Sequence, residues 1–239
     1  MKNSSLIGFS TGCFVEWKKN FDEIIDIITS TGANSIEISF LREEELLSFE
    51  CDRKTLDKIH RFDNVSIHAP DKKYITCSED SIIRCLSEVS DTIGTRNIVV
   101  HPDSYKNWSL LKSNFNLFVE NIPSENYFSS FDVKNDGHYG YVFDIFHAFE
   151  SDKSWKSWKT IKSTMGNKIK EIHVSGVNNT TRHCLLSESD YRENFCDILK
   201  TLYVISPRIN IIMEGKSPKS LESLEKEMTF VRKILGESK

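Results

Sequence analysis

The sequence predicts an α/β protein folded as a single closed (β/α)8 barrel. Three observations carry that prediction. Short apolar runs alternate with longer amphipathic ones along all 239 residues, and parallel strands need helix-length connections of this kind. Eight strand candidates can be read, and the chain is close to the roughly 250 residues usual for a closed barrel of eight. Polar residues gather at the C-terminal ends of those strands, the face on which such barrels place their chemistry.

Leu6 to Ser10 reads as the first strand. Phe21 to Ile28 repeats its apolar residues at helical spacing, and Gly32 suits a stop after it. Ser35 to Phe40 is the second strand. Leu41 to Phe62 holds helical material with an acidic start, Glu43-Glu44-Glu45. Those charges complement a helix dipole, but beside the mouth they would repel a phosphate backbone. Val65 to His68 is the third strand, Ser81 to Ile93 a helix, and Asn97 to His101 the fourth strand, stopped by Pro102. Trp108 to Phe115 is a short helix and Leu117 to Glu120 the fifth strand. Asn121 to Gly140 is the least regular part, with Pro123 and Asn135-Asp136-Gly137, and predicts a shortened or missing helix between strands five and six. Gly140 to Asp144 is the sixth strand, Trp155 to Met165 a helix and Ile169 to Val174 the seventh strand. A polar loop, Val177 to Ser187, leads to a helix over Tyr191 to Val204. Ile209 to Glu214 is the eighth strand, and Leu221 to Leu235 closes the chain as a helix.

No linker, internal repeat or low-complexity segment interrupts this order, so residues 1–239 read as one domain. An open doubly wound sheet would want a G-x-G-x-x-G turn after an early strand, and there is none.

Composition narrows the function. Charged residues make up 28% and apolar ones 38%, as in ordinary soluble proteins. The net charge of −4 leaves no basic domain, which disfavours nucleic acid as a partner without removing it. No secretory leader pattern opens the chain, and no apolar run approaches the roughly 20 residues of a membrane helix. The six cysteines are scattered without a C-x-x-C pair, which suits reduced thiols in the cytoplasm.

Asp144 lies in an apolar run, Val142-Phe143-Asp144-Ile145-Phe146. A carboxylate buried there unpaired costs several kcal/mol, and a metal ion offsets that cost. The other strand ends supply further ligand types: Glu37, His68, His101, Glu120, His173 and Glu214, with His147 and His183 in the following loops. Four strand-end carboxylates with this many histidines are hard to explain as packing. Imidazole and carboxylate without thiolate suit Zn, Mn, Fe or Co, as one or two ions. His60 and His138 fall away from the strand ends and read as surface residues.

These pieces together resemble the xylose isomerase-like TIM-barrel superfamily, which includes sugar phosphate isomerases and epimerases and endonuclease IV-like enzymes. The resemblance rests on His68-Ala69-Pro70, Val100-His101-Pro102, Glu120-Asn121, Asp144-x-x-His147, His173-x-Ser175, Arg182-His183 and Met213-Glu214, in order on successive strands. It implies a shared metal site of Glu120, Asp144, His173 and Glu214. In the endonuclease branch His68 and His101, with a bridging Glu120, hold a second ion, and His147 and His183 belong to a third. In the sugar branch His147 and a basic residue near Arg182 touch substrate. Thr181 stands where the endonuclease branch has a carboxylate, which puts a trinuclear site in doubt. Homo-oligomers are common in the family.

The leading expectation is a divalent-metal-dependent isomerase or epimerase of a sugar or sugar phosphate acting through an enediolate. Glu120 and Glu214 would be the catalytic acid and base, and His147, Arg182, His183 and Glu37 would bind substrate. The alternative is a metal-dependent phosphodiester hydrolase of abasic DNA. A third reading is a barrel that binds a small molecule without turnover.

Overall fold

Period-two alternation decides which way each strand residue faces, and here it sorts isoleucine from glutamate. The computed structural model describes residues 5–123, 140–155, 158, 163, 167–216 and 220–237. Its strands are β1 (Leu6–Ser10), β2 (Ser35–Ser39), β3 (Asn64–His68), β4 (Asn97–Val100), β5 (Asn116–Glu120), β6 (Gly140–Asp144), β7 (Ile169–Val174) and β8 (Asn210–Met213). All neighbours are parallel, the order follows the sequence, and β8 pairs back onto β1 to close the barrel. The fold is the predicted (β/α)8, or TIM, barrel.

Outward-facing strand residues such as Ile36, Ile38, Ile67, Ile98, Val119, Ile172 and Ile211 are fully buried under the helices. Their partners come from α1 (Phe21–Ser30) and α4 (Glu79–Ile93), which bury Ile25, Ile28, Leu86 and Ile93. Local sequence sets the helix ends. Asn20 accepts the Glu23 amide at 2.9 Å while Glu23 reaches back to the Asn20 amide at 3.1 Å, a capping box. Gly94 ends α4 with φ of 82°, a left-handed turn that favours glycine. Gly8 is required for another reason: a Cβ there would collide with the Ser35 carbonyl on the adjacent strand.

The stretch from Leu41 to Phe62 divides into two helices, α2 (Glu43–Leu47) and α3 (Arg53–Ile59), because Asp52 caps the second by accepting the Thr55 amide at 2.7 Å. Next come α5 (Trp108–Asn114) and α6 (Ile145–Ser151). The sequence reading did not foresee α6. It begins directly at the end of β6, capped by Asp144 itself. The chain closes with α7 (Arg192–Ile205) and α8 (Leu221–Ile234). The shortened or missing helix expected between strands five and six, and most of the helix expected from Trp155 to Met165, lie outside the described residues. Among the described residues no helix is long and apolar enough to cross a membrane.

Candidate metal centre

Inside the barrel the faces that point away from the helices carry charge. Glu37 on β2, His68 on β3, Glu120 on β5, Asp144 on β6 and His173 on β7 are all buried. His101 follows β4, Glu214 follows β8, and His147 sits in the first turn of α6. Asp144 places His147, since its Oδ1 accepts the His147 amide at 2.7 Å.

Glu120 is the hub. Its Oε2 lies 3.0 Å from His68 Nε2, 3.5 Å from His101 Nε2 and 3.3 Å from His173 Nδ1. Its Oε1 lies 3.1 Å from His147 Nδ1. Glu214 Oε1 approaches His173 Nδ1 to 3.5 Å from the other side. Among the described residues four overlapping groups could each hold an ion: His68, Glu120 and His173; Glu120, Asp144 and His147; Asp144, His173 and Glu214; and, behind the His173 ring, Glu37, Glu171 and His173.

Charge is tightly coupled here. Burial raises the Glu120 carboxyl, but His173, His101 and His147 outweigh it and hold the group well below its ordinary range. Burial lowers His101, and Glu120 with Asp71 overcomes it, pushing the ring up to about 9. His147 is pushed up to about 10, against burial, by Asp144 and Glu120. His173 rises well above its ordinary value, against burial, through Glu214, Glu37 and Glu120. Burial, joined by Glu37, Glu120 and Asp144 and opposed by His173, pushes Glu214 up to about 8.

The donor set fits a divalent ion. Asp144 Oδ2 and His173 Nδ1 are buried without a hydrogen-bond partner, and both belong to the group that Glu214 completes. Orphaned buried polar atoms are rare and call for an explanation. Nitrogen and carboxylate oxygen at one point suit Zn, Mn, Fe or Co.

Other expected site residues stand apart. Glu37 is fully buried, and its Oε2 lies 3.1 Å from His173 Nε2, the ring nitrogen opposite Nδ1. Arg182 points out to the rim, where it pairs with Glu150 and passes over Phe146 at 5.9 Å. His183 packs against Phe146, ring centroids 4.3 Å apart and tilted by 52°, and meets Ser175 Oγ through Nδ1 at 3.2 Å, and burial lowers its pKa. No ligand group among the described residues includes it. Thr181 belongs to a turn, donating its amide to Asn178 Oδ1 at 3.0 Å.

The sequence reading missed Glu171, Ser66, Asn210 and Asp71. Glu171 is fully buried and lies 3.1 Å from His173 Nε2. Ser66 and Asn210 both donate to it. Period two was a usable signal, because Glu171 and Ser66 each precede a site histidine by two residues on the same strand face. Asp71, three residues past His68, faces His101 Nδ1 at 3.9 Å and left no comparable trace.

At the rim, Glu43 turns inward and is nearly covered, accepting the amides of Thr76 and Cys77 at 2.7 and 2.9 Å. Glu45 reaches back to the Arg42 amide at 3.2 Å. The acidic run therefore works as loop anchor and helix cap. Basic groups stand nearby: Arg42 and Lys73 flank the Tyr74 ring at 5.4 and 4.9 Å. Across the mouth a cavity of about 490 Å³ is lined by Asn178, Asn179, Arg182, His183 and Lys216, among others.

No protein-family model and no curated sequence matches the chain. Solved structures do match in fold. A sugar phosphate isomerase/epimerase from Parabacteroides distasonis superposes with a TM-score of 0.67 at 12% identity, covering 98% of this chain and 96% of that one. Endonuclease IV from Thermus thermophilus gives 0.64 at 16% identity, covering 98% and 99%. An IolI protein with a zinc atom gives 0.62 at 14% identity, covering 95% of both chains. The barrel that carries this cluster thus has the fold shared by the xylose isomerase-like TIM barrels, the sugar phosphate isomerases and epimerases among them, and by endonuclease IV.

Proposed function

We propose that the chain is a divalent-metal-dependent enzyme and that its chemistry is hydrolysis of a phosphodiester, with DNA carrying an abasic site as the substrate to test first. One observation carries this reading: Glu120 stands between two groups of ligands, with His68 and His101 of one and His173 of the other all within 3.5 Å of its Oε2, and His147 at its Oε1. A glutamate shared in this way between two groups of ligands could serve two ions at once. It is poorly placed as the freely moving proton carrier that an isomerase needs at this position. His68, His101 and Glu120 would hold one ion, and Asp144, His173 and Glu214, with Glu120 shared, the other. When bound, such ions supply positive charge against phosphate oxygens and lower the pKa of water.

The rest falls to the chain. His101, His147 and Glu214 are the more open groups, with side chains 15%, 16% and 20% exposed, so substrate meets them first. Arg42, Lys72, Lys73 and Lys216 supply charge at the rim for a phosphate-bearing ligand, Lys73 and Lys216 sharing it with Asp71 at 3.2 Å and Glu16 at 3.8 Å, while Glu43 is turned inward, away from it. Thr181 brings no carboxylate to His183, which supports two ions over three.

The isomerase or epimerase reading keeps one supporting observation. Glu214, pushed up to about 8, can hold or release a proton near neutral pH. One experiment separates the two. The protein, loaded with Zn²⁺ or Mn²⁺, is given an abasic duplex and, in parallel, a panel of ketoses and ketose phosphates in deuterated water. Incision that is lost in Glu120→Gln supports hydrolysis. Deuterium uptake without incision replaces it with the isomerase. Neither, in protein that binds no metal, favours a non-catalytic barrel.

A further inference from the structure

Barrel interiors are usually filled by layers of branched apolar side chains. Here the layer beneath the metal centre contains Ser66, Glu171 and Asn210, all buried. Glu171 has no exposed surface, yet it is fully engaged. Ser66 Oγ donates to it at 3.1 Å, Asn210 Nδ2 donates to it as well, and His173 Nε2 lies 3.1 Å from its Oε1. The register explains the meeting: Glu171 pairs with Asn210 across β7 and β8, and Ser66 faces them from β3. A carboxylate at the centre of a barrel is costly, and here it takes three donors to accommodate it.

We infer that Glu171 is a positioning residue for the metal centre: it holds the Nε2 proton of His173 and so leaves Nδ1 as the ligand atom. This rests on the reading of the cluster as a metal site. An imidazole that gives its proton to one nitrogen offers a lone pair at the other, and a carboxylate behind a ligating histidine fixes both the tautomer and the ring plane. Nδ1 is the buried atom without a hydrogen-bond partner, and it lies between Glu120 and Glu214. Ser66 and Asn210 keep Glu171 from turning away. Glu37 sits near the same Nε2 at 3.1 Å, but only Glu171 makes a well-formed hydrogen bond with it and is itself fixed by Ser66 and Asn210, so Glu171 is the better-placed acceptor of the proton.

The test uses the full chain and Zn²⁺. Affinity is measured by competition with a chelator, and the His173 tautomer by ¹⁵N NMR of histidine-labelled, zinc-loaded protein, with His173→Gln to assign the signal. Wild type is expected to show a proton on Nε2 and none on Nδ1. Glu171→Gln keeps the shape, but its one carbonyl cannot serve Ser66, Asn210 and His173 together. It is expected to bind Zn²⁺ about 10–100-fold more weakly and to mix tautomers, and Glu171→Leu to bind more weakly still. If Glu171→Leu does not fold, Glu171→Gln decides alone. Variants that lose thermal stability but keep wild-type affinity and tautomer would make Glu171 merely structural and overturn the inference. Wild type that takes up no Zn²⁺ would instead overturn the metal reading beneath it.

Discussion

His68 Nε2 lies 3.0 Å from Glu120 Oε2, while His68 Nδ1 is already committed to the Ala69 carbonyl at 2.9 Å. A carbonyl accepts only, so Nδ1 must carry a proton. In a neutral ring Nε2 would then be a lone pair facing a carboxylate oxygen. That contact is stable only with positive charge at Nε2, supplied by a second proton or by a metal ion. The Glu120 hydrogen bond and the Glu37 charge do raise the His68 pKa against burial.

A metal ion would therefore compete with protons for the same atoms. Metal ligands must be deprotonated, so binding releases protons and weakens as pH falls. With His101 near 9 and His147 near 10 in the metal-free protein, Zn²⁺ is expected to bind more weakly at pH 6 than at pH 8. Titration calorimetry in buffers of different ionisation enthalpy would read the protons released. A proton count of zero would remove the competition.

Without metal, stability should fall as pH rises. A histidine whose folded pKa is raised contributes stability that is complete below its unfolded value, about 6.5, and lost through its folded value. For His101 and His147 the loss runs from there to about 9 and about 10. Glu214 has the same sign: with its folded pKa raised to about 8, the folded state binds more protons than the unfolded and loses stability as pH rises to that point. Glu120, held low, is ionised throughout this window and adds no slope. The chelator-treated protein is expected to melt at a lower temperature at pH 9.5 than at pH 7, and saturating Zn²⁺ to raise both melting points. A flat pH profile after chelation would contradict the charge assignments.

Glu227 on α8 ties the seventh loop to the barrel. It is buried and accepts the amides of Leu186 and Ser187 at 2.6 and 3.2 Å. Glu227→Ala strands two donors, with an expected cost of about 1–3 kcal/mol. In a chain of this size that lowers the melting temperature by about 2–4 °C for each kcal/mol. Glu227→Gln, which can satisfy only one amide through its carbonyl, should fall between. An alanine variant as stable as wild type would show that water replaces the carboxylate.

Periodicity and composition were enough to specify the barrel and to gather its polar residues at one mouth. Eight apolar runs joined by helix-length segments admit few other closed arrangements, and β1, β6 and β7 begin and end where the pattern placed them. Residues at strand ends converge because parallel strands all end on one face, so His68, Glu120, Asp144 and His173 are grouped already by their positions in the sequence. Where each side chain points, and what it meets, came from the fold. It turned Glu43 inward, sent Arg182 outward to Glu150 and placed Glu37 behind His173. It also made Glu120 the common partner of four histidines and put Glu171 under His173 with Ser66 and Asn210 around it. The reason is physical. Period and composition set which face of a strand a side chain occupies, whereas contacts between residues 50 or 100 positions apart depend on the register and closure of the whole barrel.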